Sequence, residues 1–246
     1  MSTPRVIPPL TRGRNAIYLA VAAVLSVPFL LCFPLVLVPF KYGRPFLEAF
    51  YRMHAFLLRV ICGLSYRVTG QENLPETPVL IASAHQSAWE TLFFHLLLNN
   101  PAMIAKKELF AIPILGSVMR ANGQIMLDRG GSADSIMASF HQARKHSRQG
   151  RNVLIFPTGT RSQDAADPIK TGVLILYRTL KCPVVPVTVN SGDYVLPKFP
   201  FFMPGVIEVR ILPAIPVGLA NQDFMDRLFS DLSQIAADTT QSGGQR

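Results

Sequence analysis

Charged residues and cysteines are both scarce in this chain of 246 residues. Only 16% of the residues are charged while 49% are hydrophobic, so the chain is too apolar to be intrinsically disordered. The three cysteines, Cys32, Cys62 and Cys182, are odd in number and form no Cys-x-x-Cys pair. A disulfide framework or a zinc site is therefore disfavoured, and a reducing compartment is the simpler expectation.

Acidic residues are fewer than basic ones. The chain has 24 lysines and arginines against 15 aspartates and glutamates, which gives a formal net charge of +9. A basic, apolar chain suits an anionic partner, either nucleic acid or phospholipid head groups, and the apolar content favours lipid. A nucleic-acid binder is a distant alternative, because no recognised binding motif is present.

Residues 15–40 contain no charged side chain. This run is longer than the roughly 20 apolar residues that cross a bilayer as a helix. Pro28, Pro34 and Pro39 interrupt it, so a bent or re-entrant segment competes with a straight span. A cleaved signal peptide is less favoured, because no small-residue cleavage site closes the run. Basic residues on both sides leave the orientation undecided.

A second segment, residues 46–66, has apolar residues near helical spacing with Arg52 and Arg59 between them. This pattern predicts a helix in the head-group region with its arginines toward phosphates, although an ordinary helix packed on the next domain has a similar pattern. We therefore expect membrane-associated helices over residues 1–66, an α/β domain over 67–237 and a polar tail over 238–246.

Beyond Pro78, short apolar runs alternate with helical patterns. Strands are expected at 79–83, 102–105, 124–127, 152–156, 184–189 and 206–211. Helices are expected at 88–98, 114–121, 132–149, 172–180 and 223–236. The alternation predicts an α/β fold, with a largely parallel mixed sheet flanked by helices. Ligands in such folds bind at the carboxyl ends of the strands.

The loop after the first of these strands contains His85 and Glu90. If His85 lies in the turn and Glu90 on the helix that follows, the carboxylate can fix the tautomer of the ring. The other ring nitrogen would then be free to act as a general base. A lone histidine is more often a buried, hydrogen-bonded side chain, so this pattern is weak by itself.

Two further loops carry groups suited to an anion. Residues 156–162 read Phe-Pro-Thr-Gly-Thr-Arg-Ser, in which Gly159 lets backbone amides approach a ligand and Arg161 supplies a guanidinium. Its hydroxyl groups belong to Thr158, Thr160 and Ser162. The other loops place Lys106, Lys107 and Arg129 at neighbouring strand ends. The alternative explanations are an ordinary β-turn and a solvated basic edge.

Together these loops resemble the lysophospholipid and glycerolipid acyltransferase family, in particular bacterial members that act on 1-acylglycerol-3-phosphate. His85 and Glu90 resemble its His-x4-Asp motif, with glutamate in place of aspartate. Residues 106–129 resemble its second block, and residues 156–161 its Phe-Pro-Glu-Gly-Thr-Arg motif, with Thr158 in place of glutamate. Residues 185–190 resemble its Val-Pro-Val motif. The resemblance covers residues 74–218, and bacterial members commonly begin with a membrane-binding helical segment.

The resemblance implies acyl transfer from acyl carrier protein or coenzyme A to the free sn-2 hydroxyl of the acceptor, giving phosphatidic acid without an acyl-enzyme. It implies His85 as the general base, with Glu90 steadying the imidazolium, and we expect backbone amides near Gly159 to bind the oxyanion. The expected substrate-binding residues are Lys106, Lys107, Arg129, Thr158, Gly159, Thr160 and Arg161. Neither Ser87 nor Cys182 is expected to be a nucleophile.

No metal or other cofactor is expected, because the remaining histidines show no ligand-like clustering. The expected partners are a phospholipid membrane, a lysophospholipid acceptor and an acyl thioester, and no nucleic acid. The expected location is the inner membrane, with the catalytic domain facing the cytoplasm. Thr158 keeps two alternatives open: an acyltransferase for another lysolipid or an aminoacyl-lipid, and a catalytically weak membrane lipid-binding protein.

Overall fold

The computed structural model describes residues 8–31, 40–161, 167–196 and 201–242. Expectations that concern Cys32, Pro34, Pro39 and Ser162 lie outside these residues.

The described residues form seven strands and eight α-helices. The strands are β1 (Leu64–Thr69), β2 (Leu80–Ser83), β3 (Ala102–Lys106), β4 (Ile125–Leu127), β5 (Val153–Ile155), β6 (Val184–Val189) and β7 (Gly205–Ile211). The helices are α1 (Pro9–Leu31), α2 (Phe40–Leu57), α3 (Trp89–Leu97), α4 (Lys107–Phe110), α5 (Leu115–Ala121), α6 (Ala133–Arg148), α7 (Gly172–Leu180) and α8 (Asn221–Ser242). A π-helical turn at Leu58–Cys62 continues α2, and a 3-10 turn at Ser191–Asp193 follows β6.

The strands form one sheet in the order β1-β7-β6-β2-β5-β3-β4. All neighbouring pairs are parallel except β6 and β7. The five strands from β2 to β6 therefore end at the same edge of the sheet, called the carboxyl edge below. The prediction of a largely parallel mixed sheet is confirmed.

Each face of the sheet is covered by helices. Successive side chains of a strand point to opposite faces, so Leu80 and Ile81 belong to different hydrophobic cores. Ile81 lies in the core formed with α1 and α3, whereas Leu80 lies in the core formed with α6, α7 and α8. The molecule thus has three layers, and the central strands β2, β5 and β6 are buried throughout.

The helices α1 and α2 pack antiparallel on one face. Tyr18 Oη lies 2.9 Å from His54 Nδ1, and the ring of Phe29 packs on Phe46 further along the pair. Asn15 ties α1 to the residues before β7: its side-chain amide donates to the carbonyl of Phe202 at 2.9 Å and accepts from the Phe202 N–H at 2.8 Å. Among the described helices, α1 is the one long and apolar enough to cross a membrane.

Two expectations about this architecture differ from the structure. The end of the segment expected to be membrane-associated helix is strand β1, because Gly63 ends the helix at a φ of +69° and residues 64–69 then pair with β7. The expected polar tail begins at residue 238, yet α8 continues to Ser242. No glycine or proline interrupts residues 221–242, so nothing in the backbone stops that helix.

Candidate active site

His85 lies directly beyond β2 at the carboxyl edge. Its ring stacks on Phe156, which follows β5, with ring centroids 4.0 Å apart. Burial, together with the positive charges of Arg161, Arg129 and Lys106, lowers the pKa of His85 from 6.5 to about 3. The ring is therefore neutral at physiological pH, which is the form that a general base requires.

The two ring nitrogens of His85 differ in their surroundings. Nδ1 is buried and has no hydrogen-bond partner within the described part of the chain. Among the described residues, Nε2 is not buried without a partner in this way. A proton on Nδ1 leaves the Nε2 lone pair available to a substrate.

Glu90 is fully buried in the first turn of α3. Its carboxylate accepts hydrogen bonds from the N–H of Gln86 at 2.7 Å, from the N–H of Ser87 at 3.0 Å and from the Ser87 hydroxyl at 2.7 Å. Burial raises the pKa of Glu90, and these hydrogen bonds oppose the rise.

The expected contact between Glu90 and the imidazole of His85 is not formed in the structure. The carboxylate instead accepts from the N–H groups of Gln86 and Ser87, just before α3. N–H groups at a helix start have no partner within the helix, so they need another acceptor when they are buried. Glu90 therefore fixes the loop that carries His85 instead of touching the ring.

The His85 loop is also joined to the turn after β6. Ser87 Oγ and Ser191 Oγ lie 2.8 Å apart, and the side-chain oxygen of Gln86 accepts from the N–H of Gly192 at 3.1 Å. Sequence reasoning did not find Gln86 or Ser191 as part of the site, because contacts between distant loops leave no local pattern. The Ser87 hydroxyl donates to Glu90 and lies against Ser191, and the expectation that it is not a nucleophile stays a prediction.

Positive side chains gather around Gly159 in the loop after β5. Gly159 adopts a φ of +76°, and its carbonyl accepts a short hydrogen bond from Arg129. A side chain at this position would lie 3.1 Å from Lys170 Nζ and 3.2 Å from Arg129 Nη1. A larger residue would be strained by the positive φ and would press on both cations, whereas the small glycine lets them close on the loop.

Lys170 was missed by sequence reasoning. It lies just before α7, and its N–H donates to the carbonyl of Pro157 at 3.0 Å, which brings the chain back beside the loop after β5. No local sequence pattern marks it, because this return of the chain depends on a contact between loop residues that are far apart in sequence.

The other predicted binding residues are only partly brought together. Lys106, Arg129 and Arg161 lie close enough to lower the pKa of His85, whereas Lys107 Nζ pairs with Asp128 at 2.6 Å. Thr158 Oγ1 donates to the carbonyl of Thr160 at 3.0 Å, so it closes its own turn.

The expected oxyanion donors near Gly159 are also restricted. The Gly159 N–H donates to the carbonyl of Phe156 at 3.0 Å, so this amide is already occupied. The expectation of an oxyanion donor near Gly159 therefore does not extend to this amide.

A neutral histidine among cations, at the carboxyl edge of an α/β sheet, is an arrangement suited to general-base chemistry on an anionic substrate. Comparison with known proteins gives the family: the Acyltransferase family model matches residues 65–190, from β1 to the residue after β6. This is just over half of the chain, and the chain belongs to the Acyltransferase family.

Individual relatives agree with this assignment. The chain is 34% identical over 166 residues to the 1-acyl-sn-glycerol-3-phosphate acyltransferase of Pseudomonas aeruginosa, covering 67% of this chain and 64% of that protein. It is 29% identical over 193 residues to the protein of the same name from Saccharomyces cerevisiae, covering 76% of this chain and 64% of that one. The chain thus spans somewhat less than two thirds of the length of these relatives.

A solved structure shows the same fold. The crystal structure of the 1-acyl-sn-glycerophosphate (LPA) acyltransferase from Thermotoga maritima superposes with a TM-score of 0.65 at 22% identity. The match covers 81% of this chain and 80% of that chain.

Proposed function

We propose that this protein transfers an acyl group from a thioester to the free sn-2 hydroxyl of 1-acylglycerol-3-phosphate, giving phosphatidic acid. The observation that carries the proposal is His85, neutral and with Nδ1 unpartnered, beside the cations Lys106, Arg129 and Arg161. The relatives that bear the name of this activity support it.

In the proposed reaction, His85 Nε2 accepts the hydroxyl proton as the acceptor oxygen attacks the thioester carbonyl. The carbon–oxygen bond forms, the carbon–sulfur bond breaks, and the proton passes from His85 to the leaving thiolate. General-base assistance of this kind contributes about 10²–10⁴-fold. The proposal includes direct transfer without an acyl-enzyme, since the nearby Ser87 hydroxyl is buried between Glu90 and Ser191.

The acceptor phosphate is assigned to the cations around Gly159. Arg129 and Arg161 supply guanidinium groups, which suit the paired oxygens of a phosphate, and Lys106 adds a point charge. Arg129 is already held against the Gly159 carbonyl, so its position is set before substrate binds.

The proposal also includes a membrane. The outward face of α1 exposes large aliphatic side chains, among them Leu10, Val24 and Leu31. Lysolipid and product both reside in a bilayer, so contact through this face brings the site to its substrate. We place the protein at the inner membrane with the α/β domain on the cytoplasmic side, where acyl carrier protein and coenzyme A thioesters are available.

A second candidate keeps the chemistry and changes the acceptor. Thr158 supplies a hydroxyl where the family motif has a carboxylate, and this hydroxyl is used within its own turn. If Thr158 sets the preference, Thr158→Glu shifts the acceptor profile toward lysophosphatidic acid, whereas an unchanged profile rules out this role.

The test of the proposed function is acyl transfer by the detergent-purified full chain, followed by mass spectrometry. Both thioester donors are offered with a panel of lysolipid acceptors, beside His85→Gln as a control that keeps the size of the side chain. Transfer to lysophosphatidic acid that His85→Gln abolishes supports the proposal. Equal transfer by wild type and variant contradicts the role of His85, and no transfer to any acceptor favours a lipid-binding protein.

A further inference from the structure

The turn between α4 and α5 presents large aliphatic side chains to the outside. The exposed fractions are Leu109 37%, Ile112 46%, Ile114 51% and Leu115 40%, and these four residues are called the aliphatic turn below. They are not the result of loose packing. Phe110 between them is buried, its carbonyl accepts from Arg120 Nη1 at 2.7 Å, and a side chain at Gly116 would collide with the same carbonyl.

The backbone of the aliphatic turn is strained at Ile114. This residue has a φ of +63° and a ψ of −64°, and the N–H of Leu115 donates to the carbonyl of Pro113 at 2.6 Å. A three-residue turn of this kind is rare, and it is especially unfavourable for a β-branched residue. Such strain concentrates at sites of function, so a role for the outward-facing isoleucine is indicated.

The position of the aliphatic turn connects it to the active site. α4 begins directly after β3, so the turn lies at the carboxyl edge, as His85 does. β3 is separated from β2 by one strand, which corresponds to about 10 Å. Residues 106–129 carry four basic side chains, Lys106, Lys107, Arg120 and Arg129, against the two carboxylates of Glu108 and Asp128.

We propose that the aliphatic turn inserts into the surface of an anionic phospholipid bilayer, as a second membrane contact beside the mouth of the active site. An aliphatic centre among cations matches the boundary between acyl chains and anionic head groups. The aliphatic turn lies at the β3–β4 end of the sheet, whereas α1 is tied to the residues before β7, near the other end. The two contacts therefore flank His85, so that a lysolipid can enter from the side. The purpose of this contact depends on the proposed function, but its test does not.

The test is the depth of a tryptophan in vesicles of phosphatidylcholine and phosphatidylglycerol whose acyl chains carry bromine. The chain has one tryptophan, Trp89, which is buried, so an introduced tryptophan gives a separable signal. The reporter is Ile112→Trp in the full chain. The matched control is Val217→Trp, which is 51% exposed and follows Ile215, the partner of Val184 at the opposite edge of the sheet.

We expect brominated vesicles to quench the Ile112→Trp fluorescence at least twofold more than that of Val217→Trp. Leu109→Trp is a second reporter should the first variant fold poorly. Equal quenching of reporter and control overturns the proposal. Quenching that appears only when the bromine is on the acyl chain of an added donor also overturns it, because the turn would then line the donor path. Neither fluorescence measurement requires acyl transfer. Failure of the membrane-contact proposal can therefore be distinguished from failure of the proposed function.

Discussion

The protonation state of His85 governs the chemistry at the scale of one residue. Its pKa is lowered from 6.5 to about 3 by burial and by nearby cations, so folding favours the neutral ring. We expect the imidazole ¹⁵N shifts of His85, assigned by comparison with His85→Gln, to stay constant between pH 8 and pH 5. An ordinary histidine would be almost fully protonated at pH 5. A titration midpoint near 6.5 would contradict this environment.

The same shift has a consequence for stability. The unfolded chain takes up a proton on this histidine as the pH falls below 6.5, whereas the folded ring does not. The contribution of His85 to stability is therefore fully present above pH 6.5 and decreases progressively as the pH falls toward 3.

Glu90 provides a second prediction at this scale, because it holds the His85 loop without touching the ring. Glu90→Gln replaces one acceptor oxygen with a donor that faces N–H groups. We expect kcat/KM to fall by about 100-fold, since misplacing a catalytic group by about 1 Å has an effect of this size. Glu90→Asp keeps the carboxylate and should lose less.

The tautomer of the neutral His85 ring separates the two possible roles of Glu90. A carboxylate in contact with the ring would fix which nitrogen carries the proton, so its removal would change the imidazole ¹⁵N shifts at pH 7. A carboxylate that only fixes the loop leaves the tautomer of His85 unchanged in Glu90→Gln, and this is the expected result. A change of tautomer in that variant would show direct contact.

At the scale of an element, the aliphatic turn provides a matched pair of substitutions. Ile114 has a positive φ and Ile112 does not, while their exposures are similar. Ile114→Gly should stabilise the protein by about 1 kcal/mol, because glycine adopts this backbone without strain. Ile112→Gly should destabilise it by about 0.5–1 kcal/mol through backbone entropy. Thermal unfolding of both variants in detergent is the measurement, and a lower Tm for Ile114→Gly would contradict the strain.

The segment before α7 provides another prediction for an element. The ammonium group of Lys170 lies close to Gly159, as the guanidinium group of Arg129 does, so Lys170 is part of the same cation cluster. Lys170→Met keeps the length of the stem and removes the charge. We expect the KM for lysophosphatidic acid to rise about tenfold with kcat little changed, as loss of a phosphate contact predicts. The control acceptor is a monoacylglycerol, which lacks the phosphate and whose KM should not change.

At the scale of the whole molecule, the central strands were the most predictable part. Residues 80–83 and 184–189 are buried on both faces, and such strands read as continuous apolar runs. β1 was missed because its residues are partly exposed and include Arg67, which fits the amphipathic helix pattern of the preceding segment. The four-residue α4 is too short to show any periodicity. Strand order depends on pairings between distant residues, so the sequence pattern left it open.

The site was predictable to the extent that its groups follow strand ends. The structure brings His85, Arg129 and Arg161 near one another, as their positions after strands predict, because the carboxyl ends of parallel strands meet at one edge. The partner of Glu90 was not predictable, because it depends on which way one carboxylate turns inside the loop. Lys170 reaches the site through the return path of the chain, which spacing along the sequence does not encode.

The two hydrogen bonds between Asn15 and Phe202 set the time, relative to translation, at which α1 can reach its final position. They join residues 187 positions apart, and the ribosome makes the first of them long before the second. At about 5–20 residues per second, translation needs roughly 10–40 s to cover that interval. Throughout this time Asn15 lacks its Phe202 partner and keeps only the hydrogen bond from its side-chain amide to the carbonyl of Thr11 within α1. The contact that holds α1 against the rest of the molecule at Asn15 therefore forms only after the residues before β7 have been made. Docking of α1 on the residues before β7 is therefore among the last steps of folding.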